Sequence, residues 1–585
     1  SLYDLELLKK NGFSDIQVAA LTDKTVEEIR QIRKERDLKP VYKVVDTCAG
    51  EFTAETPYSY STYESTHDIT PLDGPKVMIL GGGPNRIGQG IEFDYCCVQA
   101  VYGLREAGYK SIMVNCNPET VSTDFDLADR LYFEPITFED IMNIIEFEKP
   151  DGVLVQFGGQ TPLKIAEQLT NEGVKIFGTS SASIDLAENR EAFASIIKKL
   201  KIQIPEYCIA KNYEEIINFS EIAQFPVLVR PSYVLGGRAM QIVYNKEQLV
   251  DYVFRSAEAT NDHPILIDQF IENAFEFDVD ALSDGEEVFV AGIMHHIEEA
   301  GVHSGDSSCV LPPYDMSSKV KKDIIDMTTK LALELNVVGL INLQFAVKDN
   351  EVYVLEVNPR SSRTVPFVSK YSNVPLANIA AQLSVGRKIS DFNLNENRFK
   401  HTAVKKAVLP FKKFKDEKVF LGPEMKSTGE VMGIDTEPGI AFLKAMQSDG
   451  YTVPRSGTAF VSITDVDKKR ALPIIKDLEK LNFTIIATKG TAEFLLENNI
   501  NCSPVFKVGE GRPNVVDEIL NDNIHLVINT PQGAQSRYDE EAIGKTSVMK
   551  NVLTITTLAG AKAAIEAMSN MNKIRVAPLQ EYFKQ

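Results

Sequence analysis

Short apolar strands alternate with helical segments in two separate stretches of this chain, and this alternation constrains its fold more than any other feature. The strands predicted in the first stretch lie at 76–80, 110–115 and 152–156. Those in the second stretch, which begins after Gly450, lie at 459–463, 484–487, 526–529 and 553–556. Strands that alternate with helices build parallel sheets. From about Glu188 the intervening strands are longer and alternate polar with apolar residues, so we predict a multidomain protein with α/β and α+β parts.

The length of 585 residues predicts about four domains, at roughly 150 residues per domain. In the first part of the chain we expect Asp23 to cap a helix that begins near Val26 and that Pro40 ends. Residues 57–63 are too polar and aromatic for a core strand, and we predict a lining or linker segment there.

Composition excludes several classes of protein. Hydrophobic residues make up 44% of the chain and charged residues 25%, which is typical of a folded protein. The formal charge of −20 disfavours a nucleic-acid partner, because such a partner requires a cationic surface. No apolar run approaches the ~20 residues of a membrane span, so we expect no membrane partner.

The seven cysteines include no C-x-x-C pair, which predicts a reduced, cytoplasmic protein. The chain opens at Ser1 without a signal peptide, and we expect that its start was removed or that it is a piece of a longer protein.

A predicted hairpin at 339–360 carries the most informative polar pattern. Because strand side chains alternate between faces, Asn342 and Gln344 share one face of the first strand. Glu356 and Asn358 likewise share one face of the second strand. Amide and carboxylate oxygens in small number suit Mg²⁺, which shares its coordination shell with water and nucleotide phosphates. The alternative is an ordinary solvated face of a hairpin, but the dominance of ligand-type side chains favours a site.

The register of this hairpin is predicted from its turn. A three-residue turn at 349–351 would pair Lys348 with Val352. The same register would place Gln344 opposite Glu356, with Leu355 and Val357 on the other face. The strand then runs into two arginines, Arg360 and Arg363, which suit a carboxylate or a phosphate.

Two further segments could contact a nucleotide. Residues 230–238 follow an apolar strand and place Gly236 and Gly237 between Arg230 and Arg238. Such a loop could close over a triphosphate, or it could be a glycine hairpin turn. Residues 301–308 are small and polar and could contact a base or ribose, whereas a lone histidine such as His303 is otherwise more often structural.

The glycine cluster at 81–90 also follows a strand, as in dinucleotide-binding proteins. Its spacing fits that motif poorly, because Pro84 follows Gly83 and the next glycine is Gly88. We therefore predict a tight turn shaped for packing or for a different ligand.

Several long motifs occur in order along the chain: 45–52 (Val-Asp-Thr-Cys-Ala-Gly-Glu-Phe), 56–63 (Thr-Pro-Tyr-Ser-Tyr-Ser-Thr-Tyr), 81–95, 117–124, 230–238 (Arg-Pro-Ser-Tyr-Val-Leu-Gly-Gly-Arg), 301–307 (Gly-Val-His-Ser-Gly-Asp-Ser) and 356–364 (Glu-Val-Asn-Pro-Arg-Ser-Ser-Arg-Thr). Together they resemble the carbamoyl-phosphate synthase large chain, an ATP-grasp family, over essentially the whole sequence. The resemblance implies an organisation for five segments: 1–68 the end of a helical oligomerisation domain, 69–190 a pre-ATP-grasp α/β subdomain, 191–390 the ATP-grasp fold, 391–449 the remainder of the second synthetase unit, and 450–585 a methylglyoxal-synthase-like, doubly wound α/β allosteric domain.

The resemblance also implies an activity. The second unit of this ligase family phosphorylates carbamate with ATP to give carbamoyl phosphate, which feeds pyrimidine and arginine biosynthesis. The first unit and the glutamine-hydrolysing small chain, which supply carbamate, are not part of this sequence. The implied cofactors are ATP and Mg²⁺ or Mn²⁺, with two ions per site. The implied partners are carbamate, the N-terminal synthetase half, the glutaminase small chain, a nucleotide or ornithine-like effector, and further copies in an oligomer.

Matching positions imply the site residues. The ATP contacts would be Arg230, Gln269, Ile271, Glu276, Gly301, Val302, His303, Ser304, Gln344 and Glu356. The metal ligands would be Gln344, Glu356 and Asn358, and the catalytic residues that orient carbamate would be Arg360 and Arg363. The effector contacts would be Lys468, Thr488, Thr491, Lys507 and Asn529. Two positions depart from the family: Gln269 stands where a basic residue is frequent, and Pro531 stands where some members have threonine.

Two other functions are compatible with parts of the pattern. A biotin-carboxylase-like ligase would end its Glu-x-Asn strand near Val-Glu-His, whereas residues 359–364 here are Pro-Arg-Ser-Ser-Arg-Thr. A regulatory or assembly fragment would bind nucleotide and effector without catalysing overall synthesis.

Overall fold

Four β-sheets organise the part of the chain that the structure describes. The computed structural model describes residues 4–85, 90–210, 213–231, 240–257, 265–314, 316–394, 399–412, 421–465, 467–530 and 534–584. None of the helices in these ranges is long and apolar enough to cross a membrane. All seven cysteines lie within them, and none forms a disulfide.

The first sheet has six strands in the order β1-β2-β5-β4-β3-β6. Its strands are β1 Val41–Val44, β2 Tyr58–Thr62, β3 Lys76–Leu80, β4 Lys110–Val114, β5 Arg130–Tyr132 and β6 Gly152–Leu154. The helices of this region are α1 Leu5–Lys10, α2 Asp15–Thr22, α3 Val26–Glu35, α4 Glu92–Glu106, α5 Phe138–Glu148, α6 Gln160–Leu163, α7 Ala166–Asn171 and α8 Ser181–Glu188. The β3–β6 core is parallel, as predicted from the alternation of strands and helices.

Two predictions for the first part of the chain are wrong. Residues 57–63 are not a linker, because β2 pairs with β1 and β5 and carries the sheet toward its edge. Tyrosine and threonine suit a half-buried strand, which explains why so polar a segment is extended. The cap of α3 is Thr25 rather than Asp23: its side chain accepts a hydrogen bond from the Glu28 amide, and Asp23 ends α2 in a left-handed conformation. The helix ends at Glu35, before Pro40.

A four-stranded sheet follows, in the order β7-β10-β8-β9. Its strands are β7 Tyr207–Ala210, β8 Val227–Pro231, β9 Gln241–Val243 and β10 Ile265–Gln269. The helices are α9 Arg190–Leu200, α10 Tyr213–Ile222 and α11 Lys246–Ala257. The sheet encloses its own small core, which includes Val229, Val243 and Ile267.

The central sheet is antiparallel and has seven strands in the order β15-β14-β11-β12-β13-β16-β17. Its strands are β11 Phe275–Asp284, β12 Val288–His296, β13 Cys309–Leu311, β14 Val338–Lys348, β15 Glu351–Asn358, β16 Thr402–Val408 and β17 Gly429–Asp435. The helices are α12 Ser318–Glu334, α13 Val365–Ser372, α14 Leu376–Ser384 and α15 Pro438–Ser448. Helix α14 packs on α4 of the first unit so closely that a Cβ on Gly103 would lie 2.3 Å from the Asn378 carbonyl oxygen.

The last sheet is parallel, in the order β20-β19-β18-β21-β22. Its strands are β18 Gly457–Ser462, β19 Phe483–Thr488, β20 Cys502–Val505, β21 Leu526–Asn529 and β22 Leu553–Ile555. The helices are α16 Lys468–Lys480, α17 Lys489–Glu497, α18 Val515–Leu520, α19 Ala534–Lys550 and α20 Leu558–Ser569. The sequence predicted four of these strands and missed β20, a short edge strand that contains Pro504.

Candidate active site

Two rows of polar side chains cross three adjacent strands of the central sheet. In one row Asp278 of β11 lies opposite Gln344 of β14, which in turn lies opposite Glu356 of β15. In the other row Asp280, Asn342 and Asn358 are paired in the same way. Opposed residues of antiparallel strands point to the same face, so the six side chains form one oxygen-rich patch. The sequence predicted the β14 and β15 members and missed both aspartates.

The hairpin register is set by two irregularities. The turn contains only Asp349 and Asn350, both with positive φ, so Lys348 pairs with Glu351 and not with Val352 as predicted. A β-bulge then shifts the register between Gln344 and Phe345, and this shift restores the predicted pairing of Gln344 with Glu356.

The bulge also changes which β15 side chains enter the core. Phe345 pairs with Val354, so Leu355 is the extra residue of this strand. Val352, Val354 and Val357 are the residues of this strand that reach the core, whereas Leu355 is half-buried. The predicted sharing of the apolar face by Leu355 and Val357 is therefore wrong for Leu355.

The two buried aspartates differ in their partners, a histidine for Asp278 and three uncharged donors for Asp280. Asp278 is 2% exposed, and its Oδ2 lies 3.1 Å from Nε2 of His296. Burial raises the pKa of the Asp278 carboxyl, but the His296 charge and hydrogen bonds outweigh burial and lower it overall. Asp280 accepts hydrogen bonds from Asn342 at 2.9 Å, Ser362 at 2.8 Å and Thr364 at 2.6 Å. Burial nevertheless raises the pKa of Asp280 to about 6.

Arg360 is held by the strand that precedes it. Its Nη2 donates to Asn358 Oδ1 at 3.1 Å, and its Nη1 donates to the Ser361 carbonyl oxygen at 2.8 Å. Its Nε is buried and has no hydrogen-bond partner among the described residues. A guanidinium with an unpaired Nε–H beside a row of polar side chains is suited to bind an anionic substrate.

Arg363 links the central sheet to the first α/β unit. Its Nε and Nη2 donate to the two carboxylate oxygens of Glu92 at 3.1 and 3.3 Å, and its Nη1 donates to Ser427 Oγ at 2.8 Å. Burial lowers the pKa of Arg363, but the charges of Glu430 and Glu92 raise it overall. Arg363 is therefore a fully charged, rigidly held cation, and its partners Glu92, Ser427 and Glu430 were not predicted from the sequence.

The loop at 301–304 is attached to the same face of the sheet. Glu276 lies on β11 two residues before Asp278, and it accepts a hydrogen bond from the Gly301 amide at 3.0 Å. Gly301 has a φ of +92°, and a Cβ there would lie 2.8 Å from a methyl carbon of Ile242 and 2.8 Å from a ring carbon of Phe270. Val302 follows in this loop, half-buried. The loop therefore packs closely against residues in and next to the four-stranded sheet.

The next two residues of the loop are fixed by hydrogen bonds. His303 Nδ1 accepts from the Gly305 amide at 3.0 Å, and burial lowers the pKa of this imidazole. The Ser304 carbonyl oxygen accepts from Nζ of the buried Lys405 at 3.1 Å.

The remaining predicted ATP contacts lie on the four-stranded sheet or just after it. Nη2 of Arg230 on β8 is 3.5 Å from Asp268 Oδ2 on the neighbouring strand, and Arg190 forms an ion pair with the same carboxylate. Gln269 ends β10 and lines an open groove, and Ile271 lies two residues further on. Gly236, Gly237 and Arg238 lie outside the described residues, as does Gly88.

The start of the glycine cluster after β3 is a packing feature. A Cβ on Gly81 would lie 2.7 Å from the side chain of Asn115, which hydrogen-bonds to the Gly83 amide at 3.2 Å. This arrangement agrees with the prediction of a tight turn shaped for packing.

All five predicted effector contacts line one cavity of about 220 Å³ in the last domain: Lys468, Thr488, Thr491, Lys507 and Asn529. Thr488 and Asn529 end parallel strands, where loops of such sheets bind ligands. Helix α17 begins at Lys489, and its first amides are available to an anion. Asp465 and Asp539 also line the cavity, so its charge is mixed.

The fold and site together define the class: a multidomain α/β protein with an ATP-grasp fold in its middle. A biotin carboxylase structure from Campylobacter jejuni superposes with a TM-score of 0.50 at 14% identity, over 63% of this chain and 91% of that one, which supports the fold alone.

Comparison with protein families identifies the domains. Residues 73–186 match the carbamoyl phosphate synthase preATP-grasp domain, and residues 189–392 match the ATP binding domain of the carbamoyl-phosphate synthase L chain. Residues 470–556 match the MGS-like domain.

Relatives match along the whole sequence. The carbamoyl phosphate synthase large chain of Archaeoglobus fulgidus is 54% identical over 587 residues, which cover 99% of this chain and 55% of the relative. That of Pasteurella multocida is 52% identical over 580 residues, covering 99% and 54%. The chain belongs to the carbamoyl-phosphate synthase large-chain family, and it spans about half the length of the relatives it matches.

Proposed function

We propose that this chain transfers the γ-phosphoryl group of ATP to carbamate, giving carbamoyl phosphate and ADP. The observation that carries the proposal is the convergence of the Asp278–Gln344–Glu356 row with Arg360 at the end of the same hairpin. Phosphoryl transfer requires positioning and charge neutralisation more than a covalent nucleophile. A row of oxygen ligands beside a buried guanidinium supplies both.

The metal ligands in this proposal are Gln344, Glu356 and Asn358. Their oxygens are the ligand type that Mg²⁺ and Mn²⁺ take, and Glu356 is solvent-exposed, so its carboxylate is accessible to a cation that arrives with the nucleotide. Together with Gln344 and Asn358, Glu356 would hold two ions. When bound, the ions neutralise phosphate charge, while the protein holds the nucleotide through the loop at 301–304 and through Arg230, Gln269, Ile271 and Glu276.

Arg360 and Arg363 differ in their surroundings, and we assign them different tasks. Nε of Arg360 is buried and has no hydrogen-bond partner in the described part of the chain, so we assign Arg360 to the carboxylate of carbamate. Arg363 is committed to Glu92 and Ser427, so it contributes a fixed positive charge beside the transferring phosphoryl group.

The wider context follows from the family. We propose that the chain acts as the second synthetase unit of a glutamine-hydrolysing enzyme, in an oligomer with an N-terminal synthetase half and a glutaminase small chain. Its product would serve pyrimidine and arginine biosynthesis in the cytoplasm. The mixed-charge cavity with two lysines in the last domain would take a phosphorylated effector such as a nucleotide, or an ornithine-like ligand.

Two alternatives remain: a second ATP-grasp enzyme, and a fragment without catalytic activity. A biotin-carboxylase-like ligase would require biotin as the acceptor, and the Pro-Arg-Ser-Ser-Arg run at 359–363 argues against it. A regulatory fragment would bind MgATP and effector without turnover.

ADP release separates these functions. The proposal predicts ADP release by the isolated chain that depends on added carbamate and not on biotin. Release that depends on biotin would favour the first alternative, and nucleotide binding by calorimetry without any release would favour the second.

A further inference from the structure

Two side chains of the first α/β unit that have no role in the proposed site are linked to Arg360, one directly and the other through it. Gln160 is the first residue of α6 and Glu188 is the last residue of α8. With its amide oriented by the hydrogen-bond network, Gln160 accepts from Arg360 Nη2 at 3.2 Å and donates to Glu188 Oε1 at 3.2 Å. Glu188, Gln160 and Arg360 therefore form a continuous chain of hydrogen bonds.

The position of Gln160 is fixed by close backbone contacts. The two preceding glycines allow them: a Cβ on Gly158 would lie 2.5 Å from the Leu80 carbonyl oxygen, and one on Gly159 would lie 3.1 Å from the ring of Phe93. Ser361, directly after Arg360, donates through Oγ to the Gln156 and Phe157 carbonyl oxygens at 2.9 and 3.0 Å. The segments that carry Gln160 and Arg360 are thus bound to each other.

Two carboxylates act on the Arg360 charge, those of Glu356 and Glu188. In the proposed function Glu356 holds the metal. The proposed function assigns no role to Glu188, although its side chain is exposed to solvent near the Arg360 guanidinium. An acidic group beside an anion-binding arginine weakens anion binding unless it contacts a different part of the substrate.

We propose that Glu188 recognises the amino group of carbamate, while Gln160 positions both Glu188 and Arg360. This inference rests on the proposed function, which supplies the substrate. Carbamate has two ends with opposite requirements: its carboxylate accepts hydrogen bonds, and its amino group, conjugated with the carboxylate, only donates them. Arg360 offers donors alone and Glu188 acceptors alone, so the pair matches both ends of one small molecule.

The geometry therefore assigns specificity for an N–H donor to Glu188. Acetyl phosphate is the matching probe, because a methyl group replaces the amino group of carbamoyl phosphate. A site that hydrogen-bonds to a substrate N–H discriminates strongly against an analogue without it, since its acceptor is then left unpaired.

The experiment uses the whole chain and measures ATP formed from MgADP with carbamoyl phosphate or acetyl phosphate. If the chain turns over acetyl phosphate too slowly to detect, its inhibition constant against carbamoyl phosphate is measured in place of its kcat/KM. Glu188→Ala should lower kcat/KM for carbamoyl phosphate at least about tenfold and change the acetyl phosphate value less than about twofold. Glu188→Gln retains an acceptor oxygen and should lose less selectivity. Glu167→Ala, at an exposed acid of α7 in the same unit, is the control and should behave as wild type.

Gln160→Ala tests the positioning role. The variant should have a higher KM for carbamoyl phosphate and for acetyl phosphate, because Arg360 loses a hydrogen-bond partner. It should also discriminate less between the two, because Glu188 loses its hydrogen bond to Gln160.

Each failure has a distinct signature. An active wild-type chain whose selectivity is unchanged in Glu188→Ala, or whose two activities fall by the same factor, overturns the inference alone. A wild-type chain that forms no ATP from carbamoyl phosphate overturns the proposed function and the inference with it.

Discussion

Gln344 lies directly opposite Glu356 across the β14–β15 hairpin because one residue, Leu355, is inserted as a bulge into the second strand. Asp278 continues the same row on the other side of Gln344. The row therefore runs from a fully buried carboxylate to a solvent-exposed one. The accessible carboxylate of the row is therefore Glu356, and Asp278 is a fixed charge behind it.

Glu356 should be indispensable for metal-dependent nucleotide binding. Glu356→Ala removes the exposed carboxylate of the row, so we expect Mn²⁺ affinity in the presence of ADP, measured by the electron paramagnetic resonance of free Mn²⁺, to fall at least about tenfold. The control is Glu351→Ala, at the start of the same strand, where the exposed side chain pairs with Lys319. Wild-type Mn²⁺ affinity in Glu356→Ala would refute the metal assignment.

Turnover should require the planar guanidinium of Arg360, and not only its positive charge. Arg360→Lys keeps the positive charge but cannot contact Asn358, Ser361 and the substrate at once. We expect kcat to fall by about 100-fold or more, while ADP affinity, measured by calorimetry, stays within about twofold. A lysine variant with wild-type turnover would show that charge alone suffices at this position.

Glu92 should stabilise the contact between the first unit and the central sheet. Glu92→Ala leaves Arg363 buried without its bidentate partner, and removing one member of a buried ion pair costs about 3 kcal/mol. Urea denaturation should register this loss in the free energy of unfolding. The exposed Glu119→Ala, in the same unit, should change it by less than about 0.5 kcal/mol.

The cavity of the last domain should bind a nucleoside monophosphate through its lysines. Calorimetry should show that Lys507→Ala and Lys468→Ala each weaken such binding by about tenfold, the effect of removing one charge-assisted hydrogen bond. Lys476→Ala, an exposed residue of the same helix as Lys468, is the matched control. Equal affinity in all three variants would place the phosphate elsewhere.

Glu134 should make the first unit more stable at low pH than at high pH. Its carboxylate is 6% exposed and accepts from the Ser61 amide, and burial raises its pKa from 4.5 to about 7. A raised pKa in the folded state means that stability is fully present below pH 4.5 and is lost as pH rises through 7.

Glu134→Gln removes this ionisation and keeps the hydrogen-bond acceptor. At pH 8 the variant should be more stable than wild type by roughly 3 kcal/mol, and at pH 4.5 the two should converge. Thermal unfolding at both pH values measures the difference, and a constant difference across this range would contradict the account.

The sequence predicted much of the site because its residues are local. The members of the hairpin lie within one short segment, and the alternation of β-strands places them on one face whatever the details of the turn. The turn itself was predicted one residue too long, and the unpredicted bulge compensated for that error. The position of a bulge depends on which valines pack into the core. Strand alternation alone does not reveal that choice.

The buried aspartates were missed for a different reason. Asp278 and Asp280 belong to β11, which is more than fifty residues away in the chain, and the β11–β14 register is a tertiary contact. A signal was nevertheless present: polar residues at 276, 278 and 280 alternate with apolar ones, as on a strand with one polar face. Glu92, Gln160 and Glu188 have no such pattern, because the packing of separate domains brings them to the two arginines.

The formation of ATP from MgADP and carbamoyl phosphate by the isolated chain tests the central claim most directly. We predict that the wild-type chain forms ATP in proportion to added carbamoyl phosphate, that it requires Mg²⁺ or Mn²⁺, and that Glu356→Ala abolishes the reaction while Glu351→Ala does not. Wild-type-like ATP formation by Glu356→Ala, or none by the wild-type chain, would contradict the account.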